Sequence, residues 1–351
     1  MSVLDLARAE LRAMQPYSSA RMEAQGGRIL LNANESAWPP FDGDVDSHRY
    51  PEPQPRLLVE ALANLYGMRE DEVLVGRGSD EAIDLLVRAF CRAERDAILI
   101  APPTFGLYAV CARIQNAGVL EAPLRENGAL DVEALLAAVT AAVKLVLVCA
   151  PNNPTGAGVA RADIERLLTG LSGRALLVVD EAYVEFADGG SVADLIGWHE
   201  HLVVLRTLSK AWALAGVRIG TLLARTELVA LLRRIMPPYP VPSPCTQAAL
   251  RALSPQGRLR MRWRVAVIRA ERARMQQALA VLPHVRAVLP SQANFLCVRF
   301  ADASAAHARL LAAGIVVREL RRYPGLADAL RITIGSAEEN DRVLATLERL
   351  P

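Results

Sequence analysis

Strand-like and helix-like segments alternate along residues 70–240, and this alternation constrains the fold more than any other feature. Almost continuously apolar runs are predicted as strands at 71–76, 97–102, 144–151, 175–180, 202–207 and 218–224. Runs without polar alternation are typical of strands buried on both faces of a parallel sheet. Amphipathic stretches such as 79–90 and 161–171 lie between them. The pattern predicts an α/β domain with a doubly wound sheet.

A proline-rich break at 236–244 separates this region from a different pattern. Proline at this density stops both helices and central strands. The next stretch is helical and carries seven arginines between 258 and 274, interleaved with apolar residues. We interpret it as an amphipathic helix with a solvated basic face, in preference to a nucleic-acid-binding helix. The remainder mixes helices with strands predicted at 294–300, 315–320 and 330–335, and it predicts a smaller α+β domain of about 100 residues.

Charge and composition exclude several classes of protein. The 351-residue chain has 40 basic and 38 acidic side chains, so its formal net charge of +2 attracts neither nucleic acid nor an anionic membrane. No run reaches the about 18 apolar residues of a membrane span. Residues 1–14 include Asp5 and Glu10 and predict an amphipathic helix, not a secretory signal. Five scattered cysteines and five histidines without ligand spacing predict reduced thiols, no metal site and a cytoplasmic protein.

Lysine is rare in this chain. The sequence contains 38 arginines but only two lysines, Lys144 and Lys210. A lysine can lose its proton and attack a carbonyl, whereas a guanidinium cannot. The two lysines are therefore candidates for covalent chemistry, although their survival by chance explains the composition equally well.

Two turns rich in glycine or proline follow predicted strands. The segment GRGSD (76–80) leads into a predicted helix with Ser79 as its expected N-cap, and glycines and free amides there attract a phosphate group. The segment alone is weak evidence for a phosphate site, because the carboxylates of Asp80 and Glu81 would repel an anion. The segment PNNPTG (151–156) fixes a turn that presents an asparagine side chain beyond the end of a strand.

A buried acid and a lysine follow two further strands. Asp180 ends an apolar strand, where a carboxylate is costly without a cationic partner, although a helix N-cap remains an alternative. Lys210 follows the strand 202–207, with Thr207 and Ser209 beside it and Arg218 eight residues later. Lys144 instead begins its strand. An amine, an acid and phosphate donors at one sheet edge match the needs of pyridoxal 5′-phosphate.

The motifs PNNPTG (151–156), VVDEAY (178–183) and TLSKAWALAGVRIG (207–220), in this order, resemble the fold-type I pyridoxal-phosphate aminotransferases. The segments 16–27, 30–40, 49–55 and 103–108, with the pair Arg318 and Arg331, resemble the histidinol-phosphate aminotransferase family within them. The resemblance extends over essentially the whole chain. It implies a large domain with a mostly parallel seven-stranded sheet (41–245), a smaller α+β domain (246–351) and an N-terminal arm (1–40) that contributes to the small domain and to a dimer.

The resemblance also implies roles for individual residues around the cofactor. Lys210 would bind the cofactor covalently and move the substrate proton, and Asp180 would pair with the pyridine nitrogen. Tyr183 and Asn153 would hydrogen-bond the oxygen on the cofactor ring. The other implied cofactor contacts are Gly78, Ser79, Asp80, Thr207, Ser209 and Arg218 around the phosphate, Phe105 on the ring face, and Tyr50 from the partner subunit of a homodimer. Phe105 stands where the family often has tyrosine.

The substrate contacts implied by the resemblance are Tyr17, Asn34, Asn153, Arg318 and Arg331. Two arginines at one site suit a dianionic phosphate, although they would equally suit the second carboxylate of glutamate. A surface ion pair is the alternative for Arg318.

The implied reaction is amino transfer between L-histidinol phosphate and 2-oxoglutarate, which gives imidazole acetol phosphate and L-glutamate in histidine biosynthesis. An aminotransferase with broad aromatic specificity and a threonine-phosphate decarboxylase are the enzyme alternatives. A cofactor-sensing regulator is the alternative without catalysis, and it is disfavoured because about 30 residues before the recognisable domain are too few for an added helix-turn-helix unit.

Overall fold

The structure is a computed structural model that describes residues 2–15, 17, 29–42 and 47–349. Its larger sheet has seven strands in the order β1-β7-β6-β5-β4-β2-β3. Strands β2 to β6 pair in parallel, whereas β7 is antiparallel to both β6 and β1. The strands are β1 (Val73–Gly76), β2 (Ala97–Ile100), β3 (Gly118–Glu121), β4 (Val143–Cys149), β5 (Leu176–Asp180), β6 (Leu202–Thr207) and β7 (Gly220–Leu223). The predicted doubly wound, mostly parallel sheet is confirmed.

Helices cover both faces of this sheet, as the apolar strands require. The central strand β5 is buried along its whole length, with Leu177 and Val179 in one apolar core and Leu176 and Val178 in the other. The helices around these cores are α1 (Ala9–Arg12), α2 (Arg56–Tyr66), α3 (Ser79–Phe90), α4 (Leu107–Ile114), α5 (Val132–Ala138), α6 (Arg161–Leu171), α7 (Thr226–Ile235) and α8 (Ser243–Leu253). The predicted helices 79–90 and 161–171 match α3 and α6 at both ends.

A smaller antiparallel sheet follows, in the order β10-β11-β9-β8. It contains β8 (Val285–Val288), β9 (Phe295–Phe300), β10 (Arg318–Glu319) and β11 (Ala329–Thr333), covered by α9 (Pro255–Ala280), α10 (Ala303–Ala312) and α11 (Ala337–Leu347). The long helix α9 joins both parts, because Met261 packs on the large core and Met275 belongs to the small one. The division at 40 and 245 stays a prediction, and Ala249 and Leu253 of α8 pack into the large core.

The N-terminal segment differs from the continuous helix predicted for 1–14. It forms a short 3₁₀ helix, Val3–Leu6, followed by α1, with Ala7 extended between them. Ser2 and Asp5 close a capping box over the first turn, and the amide of Arg8 donates to the carbonyl of Ala89 on the large domain. That tertiary hydrogen bond takes the place of one that a continuous helix would make. Further 3₁₀ helices are Glu70–Glu72, Val184–Phe186, Ala193–Gly197 and Ala215–Val217.

Strand register brings the separate motifs to one edge of the large sheet. Cys149 at the end of β4 lies opposite Asp180 at the end of β5, and Thr207 at the end of β6 lies opposite Gly220. Gly76 at the end of β1 pairs with the same Gly220. The turns that follow β1, β4, β5 and β6 therefore share this carboxyl edge, where open α/β sheets bind ligands.

The described ranges contain neither a candidate membrane helix nor a candidate metal-binding cluster. No helix there is long and apolar enough to cross a membrane. No group of three or more His, Cys, Asp or Glu side chains there is placed to hold a metal ion. All five cysteines are free and four are buried.

Candidate active site

Lys210 lies in the turn after β6, at the carboxyl edge of the large sheet. Its Nζ is 5.7 Å from the centre of the Tyr183 ring. Partial desolvation, then Arg331 and Arg218, lower the pKa of Lys210, against an opposite contribution from Asp80. A lowered pKa increases the neutral fraction of the amine, which is the form that attacks a carbonyl.

Lys144 stands at the opposite end of its strand. It is the second residue of β4, and its Nζ donates to the carbonyl of Ala141 at 2.8 Å and lies 3.8 Å from Asp96. These are structural contacts, so the structure brings only Lys210 to the sheet edge.

Asp180 is a buried carboxylate, 3% exposed, at the end of β5. Its Oδ2 accepts a hydrogen bond from the Tyr108 hydroxyl at 2.8 Å, and its Oδ1 accepts one from the Ala182 amide at 3.2 Å. Burial raises the pKa of Asp180 to about 6, with the Tyr108 hydrogen bond acting in the opposite direction. The helix-cap alternative is wrong, since the next 3₁₀ turn, Val184–Phe186, has Tyr183 at its cap.

No lysine or arginine in the described part of the chain makes a salt bridge with Asp180. A buried carboxylate with only neutral donors is costly for the fold. It is suited to a ligand that carries a protonated ring nitrogen, which would supply the missing cation.

Asn153 and Tyr183 lie side by side, as predicted for the two groups that hydrogen-bond the cofactor ring. Asn153 Nδ2 donates to the Tyr183 hydroxyl at 3.4 Å, and both residues are buried. Burial raises the pKa of the Tyr183 phenol, so it is protonated at neutral pH. Arg331 of β11 donates to Asn153 Oδ1, which connects the small sheet to this edge of the large one.

The start of α3 forms a cradle of backbone amides against β7. Gly78 has a φ of +87° and caps α3, whose first residue is Ser79, so Ser79 is not the N-cap that its sequence suggests. A Cβ on Gly220 would lie 2.1 Å from the carbonyl carbon of Gly78 and 2.2 Å from the amide nitrogen of Ser79. Only glycine allows this close approach of two backbones. The amides at the start of a 12-residue helix favour an anion.

Hydroxyl and guanidinium donors complete this cradle. The Thr207 hydroxyl donates to Ser209 Oγ at 3.0 Å, and Arg218 Nη1 donates to the same oxygen at 3.3 Å. Arg218 Nη2 donates to Asp80 Oδ2 at 3.2 Å, so Asp80 orients the guanidinium beside Gly78. Helix amides, two hydroxyls and one guanidinium fit a phosphate monoester. With the buried Asp180 and the amine of Lys210, the residues present fit pyridoxal 5′-phosphate.

Arg318 and Arg331 are direct neighbours across β10 and β11. Arg331 also lies over the ring of Phe295, with its guanidinium carbon 5.2 Å from the ring centre. Like charges directly opposite in an antiparallel pair repel each other. Neither arginine forms a salt bridge in the described ranges, so the ion-pair alternative for Arg318 finds no support. The pair is suited to an anionic ligand.

Four predicted residues lie at the periphery. Phe105 is half-buried and makes an edge-on contact with Tyr108, with ring centres 5.5 Å apart. Tyr50 is exposed and stacks on Tyr239 at 4.6 Å. Tyr17 and Asn34 are exposed, and no described contact brings them to the two arginines.

Tyr108 is a site residue that the sequence interpretation missed. It is fully buried on α4 and donates to Asp180. The only signal available was its position within PTFGLY (103–108), a motif already associated with the cofactor.

Comparison with known proteins identifies the family of the chain. The sequence profile of the family described as aminotransferase class I and II matches residues 32–347. The chain belongs to this family. It is 55% identical to a histidinol-phosphate aminotransferase of Xanthomonas axonopodis pv. citri, over 99% of this chain and 97% of that protein. It is 56% identical to one of Stenotrophomonas maltophilia, over 98% and 96% of the two chains.

Solved structures of this aminotransferase family share the fold. The histidinol-phosphate aminotransferase of Sinorhizobium meliloti, solved in complex with pyridoxal 5′-phosphate, superposes with a TM-score of 0.79. It is 27% identical, and the match covers 86% of this chain and 83% of that one. The phosphate cradle and Asp180 therefore lie in a fold that this chain shares with a relative solved with the cofactor bound.

Proposed function

We propose that the protein is a pyridoxal 5′-phosphate-dependent aminotransferase that interconverts L-histidinol phosphate and 2-oxoglutarate with imidazole acetol phosphate and L-glutamate, a step of histidine biosynthesis. The observation that carries the proposal is that Lys210, Asp180 and a phosphate cradle share one sheet edge, where Arg331 of the arginine pair contacts Asn153. The identity of 55% over nearly the full length to curated enzymes of this activity supports it.

Around the cofactor, each residue has a separable task. When bound, pyridoxal 5′-phosphate supplies an aldehyde and an electron-withdrawing ring. Lys210 would hold the aldehyde, and its neutral Nζ would take the proton from the substrate α-carbon. Asp180 holds the ring nitrogen in its cationic form, and Tyr183 with Asn153 holds the ring oxygen. The Ser79 amide, with Thr207, Ser209 and Arg218, would hold the phosphate.

Arg318 and Arg331 bind the substrate's anionic groups. A phosphate monoester carries close to two negative charges at neutral pH, so it neutralises both guanidiniums at once. In the second half-reaction the carboxylates of glutamate occupy the same positions. Tyr17 and Asn34 remain proposed substrate contacts.

The decisive experiment is a substrate panel with the purified holoenzyme. L-Histidinol phosphate, aromatic amino acids and O-phospho-L-threonine are each supplied with 2-oxoglutarate, and glutamate and carbon dioxide are measured. We expect glutamate mainly from histidinol phosphate. Preference for the aromatic amino acids, or carbon dioxide released from phosphothreonine, would replace this assignment by another enzyme. Cofactor binding without turnover of any donor would favour the regulator.

We further infer a cytoplasmic homodimer in which Tyr50 of each subunit reaches the cofactor phosphate bound by the other. Support comes from four exposed apolar residues at 29–41, Ile29, Leu31, Trp38 and Phe41, which a second copy would cover. Mixing Lys210→Ala subunits with Tyr50→Ala subunits tests the crossing. Each hybrid dimer has one intact site, so the mixture should regain up to about a quarter of wild-type activity. No gain over the separate variants would contradict the crossing.

A further inference from the structure

The buried phenol of Tyr108 touches the acid of the cofactor site without lining the cleft itself. Tyr108 is fully buried on α4 and lies 72 residues from Asp180 in sequence, yet its hydroxyl is 2.8 Å from Asp180 Oδ2. The other oxygen, Oδ1, is held by the amide of Ala182. Each carboxylate oxygen thus has one protein donor, and these two donors define the plane in which the carboxylate lies.

We propose that Tyr108 is a positioning residue for Asp180: its hydroxyl donates to Oδ2, fixes the orientation of the carboxylate and keeps it in the anionic form that pairs with the cofactor's ring nitrogen. The inference rests on the proposed function and deepens it. It assigns a role to a residue that has no contact with substrate and that acts through Asp180.

The protonation states require Tyr108 to be the donor. Burial and the charge of Asp180 raise the pKa of Tyr108 well above its ordinary value. The phenol therefore keeps its proton over the whole range in which Asp180 titrates, and Asp180 accepts. A neutral donor stabilises the carboxylate form without competing with the ring nitrogen for its negative charge.

Other groups near Asp180 do not replace this donor. Lys210 favours the carboxylate form by charge alone, and Asp80 disfavours it. Cys149, opposite Asp180 on β4, donates its thiol to the carbonyl of Pro151 at 3.2 Å. Tyr183 is beside Asn153, and its phenol keeps its proton at neutral pH. Among the described side chains Tyr108 is the one that donates to the carboxylate.

Tyr108 also contacts the predicted ring-stacking residue. The ring of Phe105 meets it edge-on, with centres 5.5 Å apart and planes at 86°. One buried side chain therefore supports two groups predicted to contact the cofactor, one by a hydrogen bond and one by packing. Removing only the hydroxyl separates these tasks, because a phenylalanine keeps the packing.

The test is Tyr108→Phe, with Tyr66→Phe as the matched control. Tyr66 is another largely buried phenol, and it packs against Arg206 instead of Asp180. The Asp180 pKa is measured by NMR titration of the apoprotein labelled with carboxyl-¹³C aspartate, and Asp180→Asn assigns the signal. Tyr108→Phe should raise this pKa by on the order of one unit. Tyr66→Phe should leave it unchanged. An unchanged value in Tyr108→Phe would overturn the proposal.

The holoenzyme gives a second readout. The pH midpoint of the bound cofactor's visible absorbance should move upward in Tyr108→Phe, and kcat should fall about ten-fold with little change in KM. A purely structural role would lower the amount of folded enzyme and leave the midpoint where it is.

A measurement on the wild-type apoprotein covers the case in which Tyr108→Phe fails to fold. With tyrosine labelled with ¹³C at Cζ, the NMR signal of one tyrosine should shift as Asp180 titrates, while its chemical shift stays in the range of a protonated phenol. Absence of any tyrosine that follows Asp180 would overturn the proposal. The apoprotein readouts do not depend on the substrate, so an incorrect assignment of the reaction leaves this test intact.

Discussion

At the scale of single residues, Lys210 is distinguished from the chain's many cations by what surrounds its amine. Partial desolvation, followed by the nearby Arg331 and Arg218, lowers its pKa, and Asp80 partly opposes them. A guanidinium in the same place would stay protonated throughout the physiological range. The cationic surroundings that bind phosphates thus also favour the neutral amine.

Lys210→Arg should abolish turnover although it keeps the positive charge. An arginine neither attaches the cofactor nor accepts the substrate proton, so we expect a loss of kcat of about 10²-fold to 10⁴-fold or more. The matched control is Lys144→Arg, the same substitution at the other lysine, where Nζ only contacts Ala141 and Asp96. Glutamate formation at saturating substrate measures both. Activity of Lys210→Arg near that of Lys144→Arg would show that Lys210 is not the catalytic amine.

Arg318→Ala should weaken binding of the phosphate-bearing substrate more than it slows the chemistry. Loss of a charge-assisted hydrogen bond costs about 1.5–3 kcal/mol, equivalent to about ten-fold or more in KM. Arg309→Ala is the control, because Arg309 is an exposed arginine on α10 in the same small domain. Steady-state kinetics with histidinol phosphate separate KM from kcat. A KM equal to that of the control would place the substrate phosphate elsewhere.

Residues with a chemical requirement of their own are the ones that sequence reasoning can find. Asp180, Lys210 and Asn153 stand at strand ends with side chains that an apolar sheet does not otherwise need, and the structure brings them together. Tyr108 was missed because an aromatic residue in a buried helix needs no special explanation. Its role depends on a hydrogen bond across 72 residues, which only the folded chain shows.

At the scale of elements, the prediction was accurate in the interior of the sheets and at the buried edge strand β1, but it failed at the other three edge strands. The strand β6 was predicted at both ends, since Leu202–Thr207 is buried along its whole length. The edge strands β3 and β8 were not predicted, because they are four residues long and partly exposed. The strand predicted at 315–320 shrinks to the two residues of β10, another edge. Pairing with a neighbour, and not apolar pattern, defines such strands.

Gly220→Ala should disturb the phosphate cradle through the backbone. The new Cβ would overlap Gly78 and Ser79, so β7 and the start of α3 must move apart. We expect a loss of stability of about 1–3 kcal/mol and weaker cofactor binding. Gly197→Ala is the control, because nothing lies within 4 Å of the Cβ it would add. Urea denaturation of the apoprotein and titration with the cofactor measure the two effects. Unchanged cofactor affinity would show that this close approach does not shape the phosphate site.

At the scale of the whole molecule, the site lowers the stability of the fold that contains it. Burial raises the pKa of Asp180 to about 6 in the folded apoprotein, whereas an aspartate in the unfolded chain titrates near 3.9. The folded state therefore binds this proton more tightly. The contribution of Asp180 to the free energy of unfolding is largest below about pH 4. It decreases as the pH rises to about 6 and is constant above that pH. A shift of about two units corresponds to a few kcal/mol.

Asp180→Asn should therefore stabilise the apoprotein at neutral pH, although it removes the carboxylate that is proposed to pair with the ring nitrogen of the cofactor. The amide carries no charge to desolvate and can still accept the hydrogen bond from Tyr108. We expect the variant to exceed the wild type by about 2–3 kcal/mol at pH 7.5 and by much less at pH 4. Urea denaturation of both apoproteins at several pH values measures the difference. Glu60→Gln, at a partly exposed glutamate on α2, is the control and should show no such trend. A difference independent of pH would mean that Asp180 is not desolvated in the folded chain. A wild type more stable than the variant at neutral pH would mean that a cation of the chain already neutralises Asp180, which would remove the reason for a cationic ring nitrogen at this edge of the sheet.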